Sequence, residues 1–67
     1  MKNYNSREII RILKNHGWIE KGDAKGSHVF MINPSNPSLG KVTIPHPRKS
    51  FPIKTLKSIS KQTGIEL

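Results

Sequence analysis

The stretch that decides the fold runs from residue 28 to residue 45: His28-Val29-Phe30-Met31-Ile32, then Asn33-Pro34-Ser35-Asn36-Pro37-Ser38-Leu39-Gly40, then Lys41-Val42-Thr43-Ile44-Pro45. The two flanks are rich in β-branched and large apolar side chains and read as strands. The connection between them is too short for a helical crossover, so the strands are antiparallel neighbours. Its tandem Asn-Pro-Ser is too short for a repeat architecture and reads as an extended, mobile link. Pro45 lacks a backbone N–H, so it ends its strand or confines it to a sheet edge. Upstream, Trp18-Ile19-Glu20-Lys21 is a third strand candidate, joined to the second through Gly22-Asp23-Ala24-Lys25-Gly26-Ser27, a turn segment with two glycines. Alternation puts Val29 and Met31 on one side of the second strand and His28, Phe30 and Ile32 on the other. Both sets are apolar, so period alone leaves the facing open. Phe30 on an uncovered face would be a platform for a stacked base, whereas a buried Phe is the commoner outcome.

Helices bracket the strands. Asn5-Ser6-Arg7-Glu8 is a helix start in which either Asn5 or Ser6 can accept from a first-turn amide, with Glu8 placed three after Asn5 as in a capping box. Ile9, Ile10, Ile12, Leu13 and His16 fall within an arc of about 160° at helical period, opposite Arg7, Glu8, Arg11, Lys14 and Asn15. Gly17 then stops the helix in the left-handed conformation that a residue without Cβ adopts most easily. After the basic, proline-bounded loop His46-Pro47-Arg48-Lys49-Ser50, Pro52 takes a first-turn position of a second helix running to about Thr63, with Gly64 at its end. Ile53, Leu56, Ile59, Ser60 and Thr63 share one face. Lys54, Lys57 and Lys61 form a separate stripe, either a solvated face or a ridge that tracks phosphates.

The resulting order, α-β-β-β-α, predicts an α+β fold: a three-stranded antiparallel sheet with two helices on one face and the other face open, the plan of double-stranded-RNA-binding domains. The 67 residues, 1–67, make one domain. A chain of this size buries roughly 60% of the surface its unfolded form exposes, enough for a thin core and too little for barrels or dinucleotide folds.

Composition narrows the chemistry. There is no cysteine, which excludes thiolate metal sites and cysteine nucleophiles and suits a reducing cytosol. No apolar run approaches the ~18 residues of a membrane span, and Met1-Lys2-Asn3-Tyr4 leads into polar residues, so the expectation is a cytoplasmic protein that is not exported. Twelve Lys and Arg against four Asp and Glu leave a net charge of +8. Such an excess opposes compaction and points to a polyanionic partner, nucleic acid first. Glu8, Glu20, Asp23 and Glu66 are scattered, which makes a two-metal phosphotransfer site hard to assemble; no metal or other cofactor is expected.

The three histidines are the remaining chemical candidates. His16, near a helix end, suits a packed or dipole-facing imidazole. His46, between Pro45 and Pro47, binds a phosphate or finishes a turn, with the turn favoured. His28 enters a strand directly after Lys25-Gly26-Ser27, so an ammonium, backbone amides and a hydroxyl can gather beside one imidazole. Cleavage of RNA by its own 2′-hydroxyl needs little more than a base near neutral pH and positive charge around the phosphate. On the residues alone, His28 as a half-buried strand-start residue is an equal reading.

Four elements in order carry a resemblance: Gly17-Trp18; Lys25-Gly26-Ser27-His28; Val42-Thr43-Ile44-Pro45-His46-Pro47; and Lys54-Thr55-Leu56-Lys57-Ser58-Ile59 with Lys61-Gln62 and Gly64-Ile65. Together they resemble the HicA-type mRNA interferase toxins, the YcfA-like proteins, over nearly the whole chain. The resemblance implies a toxin of a type II toxin-antitoxin system: a metal-independent endoribonuclease acting on mRNA, and a HicB-type antitoxin that masks its active site. It places the catalytic histidine at His28, and makes His46, Arg48, Lys54, Lys57 and Lys61 candidate RNA contacts beside Lys25, Gly26 and Ser27. The second proton carrier stays open among His46, Lys21 and solvent. The chain departs from the family's pattern in the longer connection from Asn33 to Ser38, and in Ser60 and Thr63 where the family's final helix is more apolar, a weak core face that a partner would complete. A non-catalytic RNA-binding module of the same fold is the alternative, and a pure interaction protein with an acidic partner is a third class.

Overall fold

The computed structural model describes residues 3–21 and 28–67. Its elements run α1 (Ser6–Asn15), β1 (Ile19–Glu20), β2 (His28–Ile32), a 3₁₀ turn (Pro37–Leu39), β3 (Val42–Pro45) and α2 (Ile53–Thr63). The strands form one antiparallel sheet in the order β1-β2-β3, so β1 and β3 are its edges and the α-β-β-β-α plan holds. Ile19 pairs with Ile32 and Glu20 with Met31. On the other side of β2, His28, Val29, Phe30 and Met31 pair with Pro45, Ile44, Thr43 and Val42.

That register settles the facing. Val29, Met31, Val42 and Ile44 are buried and meet the helices, whereas His28, Phe30, Ile32, Thr43 and Pro45 lie on the opposite face. Both helices pack against β3. They close a core with Ile9 and Leu13 from α1, Leu56 and Ile59 from α2, and Trp18, Phe51 and Ile65 from the segments at their ends. β1 is shorter than Trp18-Ile19-Glu20-Lys21 predicts because Trp18 turns inward to 1% exposure, although the Lys21 N–H still donates to the Phe30 carbonyl at 2.8 Å.

The start of α1 resolves in favour of Asn5. Its Oδ1 accepts from the Glu8 amide at 2.8 Å while the Glu8 carboxylate accepts from the Asn5 amide at 3.0 Å, the reciprocal capping box. At the other end His16 is the C-cap and Gly17 adopts φ +87°. The Gly17 N–H donates to the Lys14 carbonyl at 3.2 Å and the Trp18 N–H to the Leu13 carbonyl at 3.0 Å, the paired bonds of a Schellman ending. Leu13 and Trp18, the residues those bonds bring together, are both in the core. A Cβ at Gly17 would come no nearer than 3.8 Å to Asn33 Oδ1, so crowding is not the obstacle there. The expected cost of Gly17→Ala is therefore backbone strain alone, about 1–2 kcal/mol. Chemical denaturation should show that loss, with Gly17→Asn less affected.

Three expectations are corrected. The 33–40 connection is folded rather than extended: Asn33 Oδ1 accepts from the Ser35 amide at 3.0 Å, Ser38 Oγ donates to Asn36 Oδ1 at 2.8 Å, and Pro37 opens the 3₁₀ turn. Gln62 ties the end of this segment to α2, its amide donating to the Leu39 carbonyl at 3.4 Å and to the Lys41 carbonyl just beyond it at 2.8 Å. Ile53 is 57% exposed, because the inward stripe of α2 is centred on Leu56, Ile59 and Thr63, about a quarter turn round the helix. Pro52, placed in the first turn by the sequence reading, is the N-cap.

Ser60 and Thr63 satisfy their hydroxyls within the chain. Ser60 Oγ donates to the Ile65 carbonyl at 2.6 Å, and Thr63 Oγ1 donates to the Ile59 carbonyl at 2.7 Å while accepting from the Ile65 amide at 3.2 Å. These hydroxyls bend the chain after Gly64, at φ +72°, and seat Ile65 in the core.

Candidate active site and nucleic-acid interface

His28 is the first residue of β2, exposed, and paired across the ladder with Pro45. Lys25, Gly26 and Ser27 lie outside the described residues. On the open face, two positions along β2 from His28, stands Phe30, half-buried between Thr43 on β3 and Lys21, whose backbone bond to Phe30 continues the β1 register. Lys41 Nζ sits 4.3 Å from the centre of the Phe30 ring, a cation–π contact. Among the described residues, the open face therefore brings together His28, Phe30 and the Lys41 ammonium, with Lys21 at the register position beside Phe30. Of the carboxylates, Glu8 is held in the capping box and Glu20 pairs with Lys14 at 3.0 Å. That pair is half-exposed and contributes little to stability.

His46 goes the other way. It follows Pro45 and turns toward α1, where Ser6 Oγ lies 2.7 Å from its Nδ1. Ser6 is buried; its Oγ also accepts from the Arg48 amide at 2.9 Å, and its own amide donates to the Arg48 carbonyl at 2.8 Å. The Ser6 hydroxyl bridges the Arg48 amide and the His46 ring. His46 thus finishes a turn, as its setting between two prolines suggested, and that turn contains a cis His46–Pro47 peptide. Its Nδ1 is committed to a structural clasp on the helix side of the sheet, which argues against its serving His28.

Arg48 is partly structural as well. Its Nε donates to the Ser50 carbonyl at 3.1 Å and its guanidinium lies 5.9 Å from the Phe51 ring centre. A hollow of about 250 Å³ gathers Arg7, His46, Arg48 and Lys49 around the α1 start. Arg7, on the polar arc of α1, lines that basic hollow. His16, exposed and off the core, has Nδ1 2.8 Å from the Ile12 carbonyl, which can only accept; the imidazole caps the end of its own helix.

Lys54, Lys57 and Lys61 are all exposed on α2. Lys54 lines a groove of about 360 Å³ between α2 and the β3 edge, together with Lys41, Thr43, Thr55 and Ser58. Lys57 and Lys61 continue the stripe along the same side of α2, outside the groove. Lys41, which sequence reasoning did not select, joins this groove to the open face because it touches both. Its only signal in the sequence is its place immediately before a strand.

Among the described residues no three of His, Asp and Glu come together as a metal would require, and no helix is long and apolar enough to cross a membrane. No curated protein matches the chain. A family model described as the HicA toxin of bacterial toxin-antitoxin systems matches residues 6–65. With that match spanning almost the entire chain, and both helices and all three strands within it, the protein belongs to the HicA toxin family and is the toxin half of a toxin-antitoxin pair.

Proposed function

We propose that the protein is a metal-independent endoribonuclease, an mRNA interferase of a type II toxin-antitoxin system, acting in the cytoplasm as one 67-residue domain and silenced by a HicB-type antitoxin. The observation that carries this reading is the position of His28: exposed at the head of β2, on the sheet face turned away from both helices, where Lys41 also lies, in a chain of the HicA family.

In the proposed reaction His28 takes the proton of a ribose 2′-hydroxyl as its oxygen attacks the adjacent phosphorus. The bond from phosphorus to the 5′ oxygen breaks, that oxygen leaves with a proton drawn from solvent, His28 returns to solvent the proton it took, and the products are a 2′,3′-cyclic phosphate and a 5′-hydroxyl end. Lys25 and the Gly26 and Ser27 amides would stabilise charge on the phosphate, and Lys21 is the cation of the described open face best placed to assist. Purified protein should cut RNA to cyclic-phosphate ends as fast in EDTA as without it. Loss of cleavage in EDTA would sink the metal-free mechanism.

RNA binding without cleavage is the second reading, favoured by the tie between His46 and Ser6, which engages Nδ1 of one candidate for the second proton carrier. RNA that is retarded in a gel but stays intact over hours would establish that reading instead.

Both readings need the α2 ridge. Substituting Lys54, Lys57 and Lys61 together by Gln should weaken RNA binding and flatten the logarithmic salt dependence by about two, at roughly 0.7 per phosphate contact on a single strand. An unchanged slope would make the stripe a solvated face only.

A further inference from the structure

We infer that Phe30 is the seat of a stacked base, so that the open sheet face binds single-stranded RNA with one unpaired nucleotide held beside His28. This deepens the endoribonuclease reading and rests on it.

The geometry supplies three independent reasons. A Phe on a covered sheet would be buried like Val29 and Met31, at 4% and 0% exposure, yet Phe30 faces away from both helices and keeps part of its ring accessible. The ring's neighbours suit a nucleotide: Thr43 stands across the ladder, Lys21 on the other side, and the Lys41 ammonium lies over the ring at 4.3 Å, a place a stacking base takes over while the displaced ammonium meets its phosphate. Base stacking on a sheet aromatic tolerates any base, and flanking cations meet the phosphates on either side.

Distance gives the third reason. His28 and Phe30 are two residues apart on one face, a separation of about 7 Å along the strand. A base lying on Phe30 brings its own ribose and phosphate toward the imidazole, and Lys41 continues the path across β3 to Lys54 in the α2 groove. A duplex keeps its bases stacked inside the helix and cannot offer one to the ring. The face therefore selects unpaired RNA.

The test uses full-length protein carrying His28→Ala, so that RNA stays intact, and an end-labelled short single-stranded RNA oligonucleotide read by fluorescence anisotropy. Phe30→Leu should weaken binding roughly 10- to 100-fold, while Phe30→Trp retains it. The introduced tryptophan should be quenched by RNA, whereas Trp18, at 1% exposure, should not respond. Equal binding by the Leu and Phe proteins, or no quenching of the introduced Trp, would overturn the stacking site. So would equal or tighter binding of the matching duplex, or a Phe30→Leu effect confined to antitoxin binding. Melting curves of each variant guard against misfolding, and Phe30→Tyr should restore affinity if Leu perturbs the sheet. If wild-type protein cuts RNA while Phe30→Leu leaves affinity intact, only the stacking site fails. If the protein neither cuts nor binds RNA, the endoribonuclease reading fails with it.

Discussion

His28→Ala is expected to lower the first-order rate of RNA cleavage by roughly 100- to 10,000-fold, the range a positioned general acid–base group contributes. Growth arrest on expression should disappear with it. His28 is exposed at the end of a strand, so truncation opens no cavity, and the variant should melt within a few degrees of wild type. Affinity for RNA should survive, since the lysines that carry it are untouched. That split, with rate lost and binding kept, separates a group that handles the proton from one that merely shapes the surface. His46→Ala makes the contrast: it removes the partner of the buried Ser6 hydroxyl, and its deficit should appear in stability before rate. Cleavage at wild-type speed by the His28→Ala protein would refute the catalytic assignment.

Trp18→Ala should abolish the folded state. Trp18 is among the largest fully buried side chains, and removing such a group typically costs about 3–5 kcal/mol. A single core in a chain this small supplies only about 3–5 kcal/mol of net stability. The Trp18 side chain also sits in the core cluster with Leu13 of α1 and Met31 of β2, so its removal loosens helix and sheet together. Urea titration by circular dichroism should show no cooperative transition at 25 °C, and the variant should be non-toxic whatever His28 does. A cooperative transition with a midpoint near that of wild type would show that the core is more tolerant than its packing implies.

Local chemistry made much of this legible in advance. Asn5 and Glu8 announced the capping box, Gly17 and Gly64 the helix ends, and the paired apolar runs at 28–32 and 41–45 the antiparallel hairpin. What the residues left open was whatever depends on which surfaces meet. Phe30 and Ile32 are as apolar as Val29 and Met31, and only the docking of both helices on the other side decides between them. Ile53 has the right character for the core and lies off its axis, while Phe51 lies in a loop, where helical period gives no warning of its burial. Asn and Pro favour several turn conformations equally well, so local chemistry does not distinguish the folded 33–40 connection from an extended one. Its clip to Gln62 depends on a residue more than twenty positions away. The candidate site shows the same division: His28 stood out by its neighbours in sequence, whereas Lys41 and Arg7 acquire meaning from neighbours in space.

The clasp between Ser6 and Arg48 has a consequence for the order of assembly. It joins residues 42 positions apart, and the core likewise draws Ile9 and Leu13 from one end and Leu56, Ile59 and Ile65 from the other. Closing a loop of that length costs roughly 3 kcal/mol of chain entropy before either end gains a contact. The hairpin bearing His28 and Phe30 is local and can pair early, but its buried face stays wet until both helices arrive. A chain interrupted before Arg48 would hold the imidazole and the ring on an unsupported ribbon. The toxin's chemistry is thus kinetically tied to completion of its fold: no fragment lacking either helix should arrest growth.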